Sequence, residues 1–159
     1  MSRFTLSSPT FHGFLPNAHV YHDFGAGGAN RSPELSWSGA PEGTKSYIVI
    51  LHDPDAPGPG GWWHWCAFNI PASAEGLAEN ASQEGMPGKA VQVANSYGSK
   101  DFGGACPPPG DQAHAYHLTV YALGTEQLEL DETASPAMVL FVADEHVLGK
   151  VGITGYYSR

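Results

Sequence analysis

The segment from His52 to Trp65, HDPDAPGPGGWWHW, sets two carboxylates, Asp53 and Asp55, at the head of a loop rich in proline and glycine. The loop closes on Trp62, Trp63 and Trp65 around one imidazole, His64. Prolines 54, 57 and 59 restrict the backbone and remove N–H donors. The glycines between them let the chain pass close to a neighbour. A second loop of the same kind, GGACPPPG from Gly103 to Gly110, runs into His114 and Tyr116. Two imidazoles and a phenol are hydrogen-bond donors suited to an anion, and a bound phosphate or carboxylate favours the charged ring. Asp53 has two readings in such a group. It accepts a histidine proton and fixes that ring's tautomer, or it is itself protonated and donates. Asp55 is expected to cap the loop turn by accepting backbone N–H bonds.

Strands must deliver these groups. SYIVILHD (46–53) is β-branched, aromatic and almost continuously apolar, the pattern of a strand covered on both faces. WHWCAFNI (63–70) and HAYHLTVYAL (114–123) read as two more. Val91 to Tyr97 and Val151 to Tyr157 are weaker candidates, and Leu35 to Ser38 alternates weakly. Alternation puts Asp53 on the face of Leu51, Val49 and Tyr47, and puts His114 and Tyr116 with Leu118 and Val120. It assigns His64 to the face of Trp62, Cys66 and Phe68. Three strand ends therefore carry Asp53, His64 and the pair His114 and Tyr116, each at the border of an apolar stripe. If the ends meet, they enclose a small polar pocket on an apolar floor, with Trp62 and Trp63 at its mouth.

One helix is expected late in the chain. Ser135 caps it, Pro136 takes its first position and Gly149 ends it, with Met138, Phe141, Val142 and Leu148 on the buried face. Strands first and a helix late predict a β-rich sandwich, not an alternating βαβ sheet. With 159 residues, the chain fits a single domain, residues 1–159. Twenty glycines and thirteen prolines suit long shaped loops. The net charge of −9, with only seven Lys and Arg, argues against nucleic acid and anionic membrane surfaces as partners. No apolar run is long enough for stable membrane insertion. The first residues lack the apolar core of a signal peptide, so a cytoplasmic location is expected, with Cys66 and Cys106 as free thiols.

Other chemistries use the same residues. Cys106 lies close in sequence to His114, which raises a Cys–His hydrolase, although nothing in the sequence supplies an oxyanion hole. His64, His114 and Asp53 would make an open metal set, but no local spacing preorganises it. His12, His19, His22 and His146 read as surface or loop histidines.

At these residues the chain resembles the phosphatidylethanolamine-binding protein family, in its bacterial Raf-kinase-inhibitor-like branch. Asp53-Pro54-Asp55-Ala56-Pro57 matches the DPDAP signature, and His64 in WWHW with Asn69 matches the following strand. Pro107-Pro108-x-Gly110 with His114-x-Tyr116 matches the second signature, and Ser32-Pro33, Gly43-Thr44 and Gly155-Tyr156-Tyr157 also fit. The resemblance spans about residues 18–158. It implies an antiparallel Greek-key β-sandwich with one or two short helices. It implies a non-catalytic pocket for a small anion or phosphoryl group, walled by Asp53, Ala56, Pro57, His64, Pro108, Gly110, His114 and Tyr116, with no cofactor. It further implies a homodimer, a protein partner such as a kinase or protease, and a cis bond at Ala56–Pro57. The family commonly carries Arg where this chain has Ala115, so a salt bridge behind the sheet is in doubt.

Overall fold

Residues 3–159 are described by a computed structural model. The strands, in chain order, are β1 (Thr5–Ser7), β2 (Gly13–Phe14), β3 (Leu35–Ser38), β4 (Ser46–Asp53), β5 (Trp62–Pro71), β6 (Gly76–Leu77), β7 (Val91–Gln92), β8 (His114–Leu123) and β9 (Val147–Tyr157). Two helices, α1 (Ala81–Glu84) and α2 (Pro136–Ala143), complete the set. The architecture is mainly β, with three layers. A large sheet runs β2-β9-β8-β4-β5-β7, and a small one runs β1-β3-β6.

The near-continuous apolar run of β4 is explained by its central place, with β5 and β8 on either side. On the front face, Tyr47, Val49 and Leu51 pack with Leu35, Trp37 and Leu77 of the small sheet. On the back face, Ile48 and Ile50 pack with Cys66, Phe68, Leu128 and Val139, so α2 and its approach loop cover that side. Burying both faces removes the alternation that a half-exposed strand would show.

The ladders within the large sheet are antiparallel except β2–β9, which is parallel, as is the isolated bridge Val20–Ala105. The expected antiparallel sandwich is observed, and β2–β9 departs from it because a chain segment returning beside β9 in the same direction pairs parallel. The weak strand at Val91–Tyr97 is only two residues long, because Asn95 and Ser96 turn the chain into a loop. The last strand is longer than expected and begins at Val147.

Helix α2 starts as expected. Ser135 Oγ accepts the Met138 N–H at 3.1 Å, and Pro136 stands at its start. Its end and its buried face differ from expectation. The helix stops at Ala143, the 3₁₀ turn Asp144–His146 follows, and Gly149 lies inside β9. Pro136, Val139 and Ala143 face inward, whereas Met138 and Phe141 are exposed. Residues 137–142 are apolar all round, so periodicity alone names no inner face.

Candidate functional site

The ends of β4, β5 and β8 meet at one end of the front face. Asp53 is the last residue of β4 and lies opposite Trp62, the first residue of β5. His114 and Tyr116 open β8, whose inward set continues through Leu118 and Val120 as alternation requires.

His64 arrives there by a different route from the one alternation suggests. Leu51 pairs with Trp65 and His52 with Trp63, so β5 spends two steps where β4 spends one. The extra residue of this bulge is His64. Bulges re-aim a side chain and are common beside functional sites. Beyond the bulge, Cys66 and Phe68 belong to the back cluster, while His64 packs edge-on to Tyr116 at 5.2 Å. The face shared with Trp62 is observed, and the one shared with Cys66 and Phe68 is not.

The two histidines differ in charge. His64 is buried, and its Nδ1–H donates to the Gly103 carbonyl at 2.8 Å. A carbonyl oxygen only accepts, so this bond places the ring proton on Nδ1 and leaves Nε2 with a lone pair. Burial pushes the His64 pKa down to about 4, against weaker opposing pulls from the Gly103 carbonyl and Asp53. His114 sits between two carboxylates, with Nδ1 at 2.6 Å from Asp53 Oδ2 and Nε2 at 3.0 Å from Asp111 Oδ2. Burial alone would favour its neutral form, but the bonds and charges of Asp53 and Asp111 more than reverse this, and its pKa lies above the ordinary value. Both carboxylates are placed to accept, which favours the imidazolium form of His114 with both N–H groups engaged. Of the two readings of Asp53, the geometry selects the acceptor: Oδ2 holds His114, and Oδ1 accepts the Asp55 N–H at 2.9 Å.

A cavity of about 340 Å³ opens in front of these groups. Asp53, His64, His114 and Tyr116 line it, as do Ala56, Pro57 and Pro108 from the two loops. Trp62 lines it too, and its Nε1 is buried without a hydrogen-bond partner among the described residues. Burial holds the Tyr116 phenol well above its ordinary range, so its O–H stays a donor.

Several expectations are corrected. Trp63 turns to the back face and stacks on His52 at 4.1 Å, away from the cavity. The Asp55 side chain is exposed; its backbone N–H donates to Asp53, the reverse of the expected cap. Gly110 is not part of the wall: its N–H donates to the Arg159 carbonyl at 2.8 Å. No peptide bond among the described residues is cis, so Ala56–Pro57 is trans, the lower-energy isomer. His19 is fully buried, with Nε2 on Thr10 Oγ1 and Nδ1 on the Arg31 carbonyl, both at 2.8 Å. Ala115 is half-buried and pairs with Tyr156 in the ladder.

Five residues of the wall were not assigned to the pocket from sequence: Phe24, Tyr97, Cys106, Pro107 and Arg159. Tyr97 is held by its Oη–H donating to the Gly104 carbonyl at 2.8 Å and by stacking on Tyr21 at 3.8 Å. Arg159 is fixed by Nε donating to the Pro107 carbonyl at 2.7 Å. Phe24 and Tyr97 are distant in sequence from the signatures, and Arg159, two residues after Tyr157, was signalled only as an arginine in a chain poor in cations.

The Cys–His dyad does not form. Both ring nitrogens of His114 are taken by carboxylates, and Cys106 lies near Arg159 Nη2 at 3.6 Å. Burial raises the Cys106 pKa despite the pull of Arg159, which opposes thiolate formation. Among the described residues no cluster of three or more His, Cys, Asp and Glu is arranged to hold a metal ion. No helix among them is long and apolar enough to cross a membrane.

Comparison with known proteins agrees with this fold. The family profile described as phosphatidylethanolamine-binding protein matches residues 7–158. The protein YbcL of Escherichia coli K12 is 44% identical over 147 residues, spanning 91% of this chain and 80% of that protein. YbhB of the same organism is 41% identical over 146 residues, spanning 91% of this chain and 92% of that protein. The crystal structure of E. coli YbcL, described as a member of the mammalian PEBP family, superposes with a TM-score of 0.95 at 42% identity and covers 98% of both chains. A homologue from Chlamydia trachomatis, CT736, superposes with a TM-score of 0.83 at 28% identity, covering 100% of this chain and 99% of that one. A fold, a site and relatives that agree over nearly the whole length lead to one conclusion: the chain belongs to the phosphatidylethanolamine-binding protein family.

Proposed function

We propose that the pocket is a non-catalytic binding site for a small anion or a phosphoryl group, free or carried on a headgroup or a phosphorylated partner. The observation that carries this reading is the unpaired, buried N–H of Trp62, a residue of the cavity wall that Tyr116 and Arg159 also line. An unpaired buried donor is costly, and an incoming oxygen acceptor satisfies it. Of the donors expected from sequence, the Tyr116 phenol keeps the role. His64 and His114 engage their ring N–H groups with Gly103, Asp53 and Asp111, so Trp62 and Arg159 join Tyr116 as donors. The proline-rich loops are set before binding, which reduces the ordering cost. The non-catalytic reading is supported by family membership and by a Cys106 whose sulfur contacts Arg159 and is not hydrogen-bonded to a histidine.

The reading extends to a cytoplasmic homodimer that modulates a kinase or protease through the occupied pocket. Light scattering and pull-down with the pocket variants test this extension. The pocket itself is tested by titration calorimetry with phosphate and phosphoethanolamine on the wild type, Trp62→Phe, Tyr116→Phe and Arg159→Ala. Trp62→Phe keeps the ring and removes the N–H, and is expected to weaken binding by about 1.5–3 kcal/mol, the range for a hydrogen bond to a charged group. Unchanged affinity in all three variants would remove the pocket from the function.

A further inference from the structure

We infer that the pocket selects an oxyanion that carries its own proton, with His64 Nε2 accepting the P–O–H of a hydrogen phosphate or of a singly protonated phosphate monoester. The inference rests on the anion-pocket reading and specifies which anion fits.

The argument starts from the His64–Gly103 bond. It commits the ring proton to Nδ1 at 2.8 Å, so the remaining nitrogen of a cavity-lining ring presents a lone pair. Burial favours the neutral ring and outweighs Asp53 on β4, which favours the charged form; His52 acts weakly from the back face, and the positive charge of His114 on β8 is engaged by Asp53 and Asp111. Tyr116 and Tyr97 pack edge-on at 5.2 and 5.8 Å, and the guanidinium of Arg159 is on the cavity wall. The same wall holds the Asp53 carboxylate, which also only accepts. A fully deprotonated oxyanion would set lone pairs against both acceptors. An oxyanion with one O–H satisfies His64 while its other oxygens accept from Trp62, Tyr116 and Arg159. Buried sites built around a hydrogen bond reject the analogue that lacks the matching group by large factors.

Sulfate and inorganic phosphate separate the alternatives. At about pH 8 both are dianions of similar shape, and only the phosphate retains an O–H. Titration calorimetry on the intact chain is expected to give phosphate at least about a hundredfold tighter than sulfate. Methyl phosphate, whose second ionisation is near pH 6, is expected to bind at about pH 5 and to weaken about tenfold per pH unit above its pKa. A folded His64→Phe variant, which keeps a ring and removes the acceptor nitrogen, checked by circular dichroism, is expected to narrow the gap between phosphate and sulfate.

Equal affinity for phosphate and sulfate would overturn the inference and leave the anion pocket standing. So would a gap unchanged in His64→Phe, because another group would then supply the acceptor. If neither anion binds at any pH, the pocket reading falls and takes the inference with it.

Discussion

Two imidazoles stand within one pocket wall and titrate in opposite directions. The reason is their partners, a backbone carbonyl for His64 and two carboxylates for His114. Burial lowers His64 from 6.5 to about 4, so in that window the unfolded chain binds a proton that the native chain does not. Stability therefore falls as the pH drops from 6.5 towards 4, by on the order of 3 kcal/mol for this group. His114 has a raised pKa, so its contribution is complete below 6.5 and is lost as the pH rises through its folded value. Nitrogen-detected NMR at neutral pH is expected to show His64 neutral with the proton on Nδ1, and His114 protonated on both nitrogens. The Asp53 pair predicts an ordering of variants. Asp53→Asn keeps an oxygen for the Asp55 N–H and loses the charge facing His114, whereas Asp53→Ala loses both. Urea unfolding is expected to find both destabilised, with Asp53→Ala lower by about 1 kcal/mol more, the value of one hydrogen bond.

At the scale of elements, the loop from Gly103 to Gly110 is pressed against its neighbours. A Cβ on Gly103 would lie 2.5 Å from the Tyr97 ring, and one on Gly104 would lie 2.5 Å from the His19 carbonyl oxygen. Gly103→Ala is thus expected to cost about 1–3 kcal/mol in thermal unfolding and to shift the carbonyl that orients His64. On the opposite face, Ser135→Ala removes the cap of α2 and is expected to cost about 1 kcal/mol without changing ligand affinity. How much of this was legible varies by element. The strands at Ser46–Asp53 and His114–Leu123 were readable to the residue, because composition and period agree there. The pocket membership of Asp53, His114 and Tyr116 followed from their place at those strand ends. The β5 bulge was not legible, since an extra residue shows only against the register of a partner strand. Tyr97 and Arg159 were not legible either, because contacts far along the chain hold them in place. The inner face of α2 was hidden by its uniformly apolar sequence.

For the whole molecule, sixteen acidic and seven basic side chains give a field that opposes an approaching anion. The Arg159 guanidinium and the His114 charge act at short range inside the pocket, where salt screens them less than it screens the outer surface. Association of phosphate is therefore expected to speed up as an inert salt is raised from low ionic strength, the opposite of a basic binding protein. Stopped-flow measurement over a salt series checks the sign.

Arg159 is stitched into the rim: its backbone oxygen takes the Gly110 N–H and its side chain holds the Pro107 carbonyl. Whatever an experimenter appends after position 159 therefore emerges beside the opening. A polyhistidine handle fused there would bring its own rings and metal affinity to the doorway, and affinities measured with it would describe the handle as much as the protein.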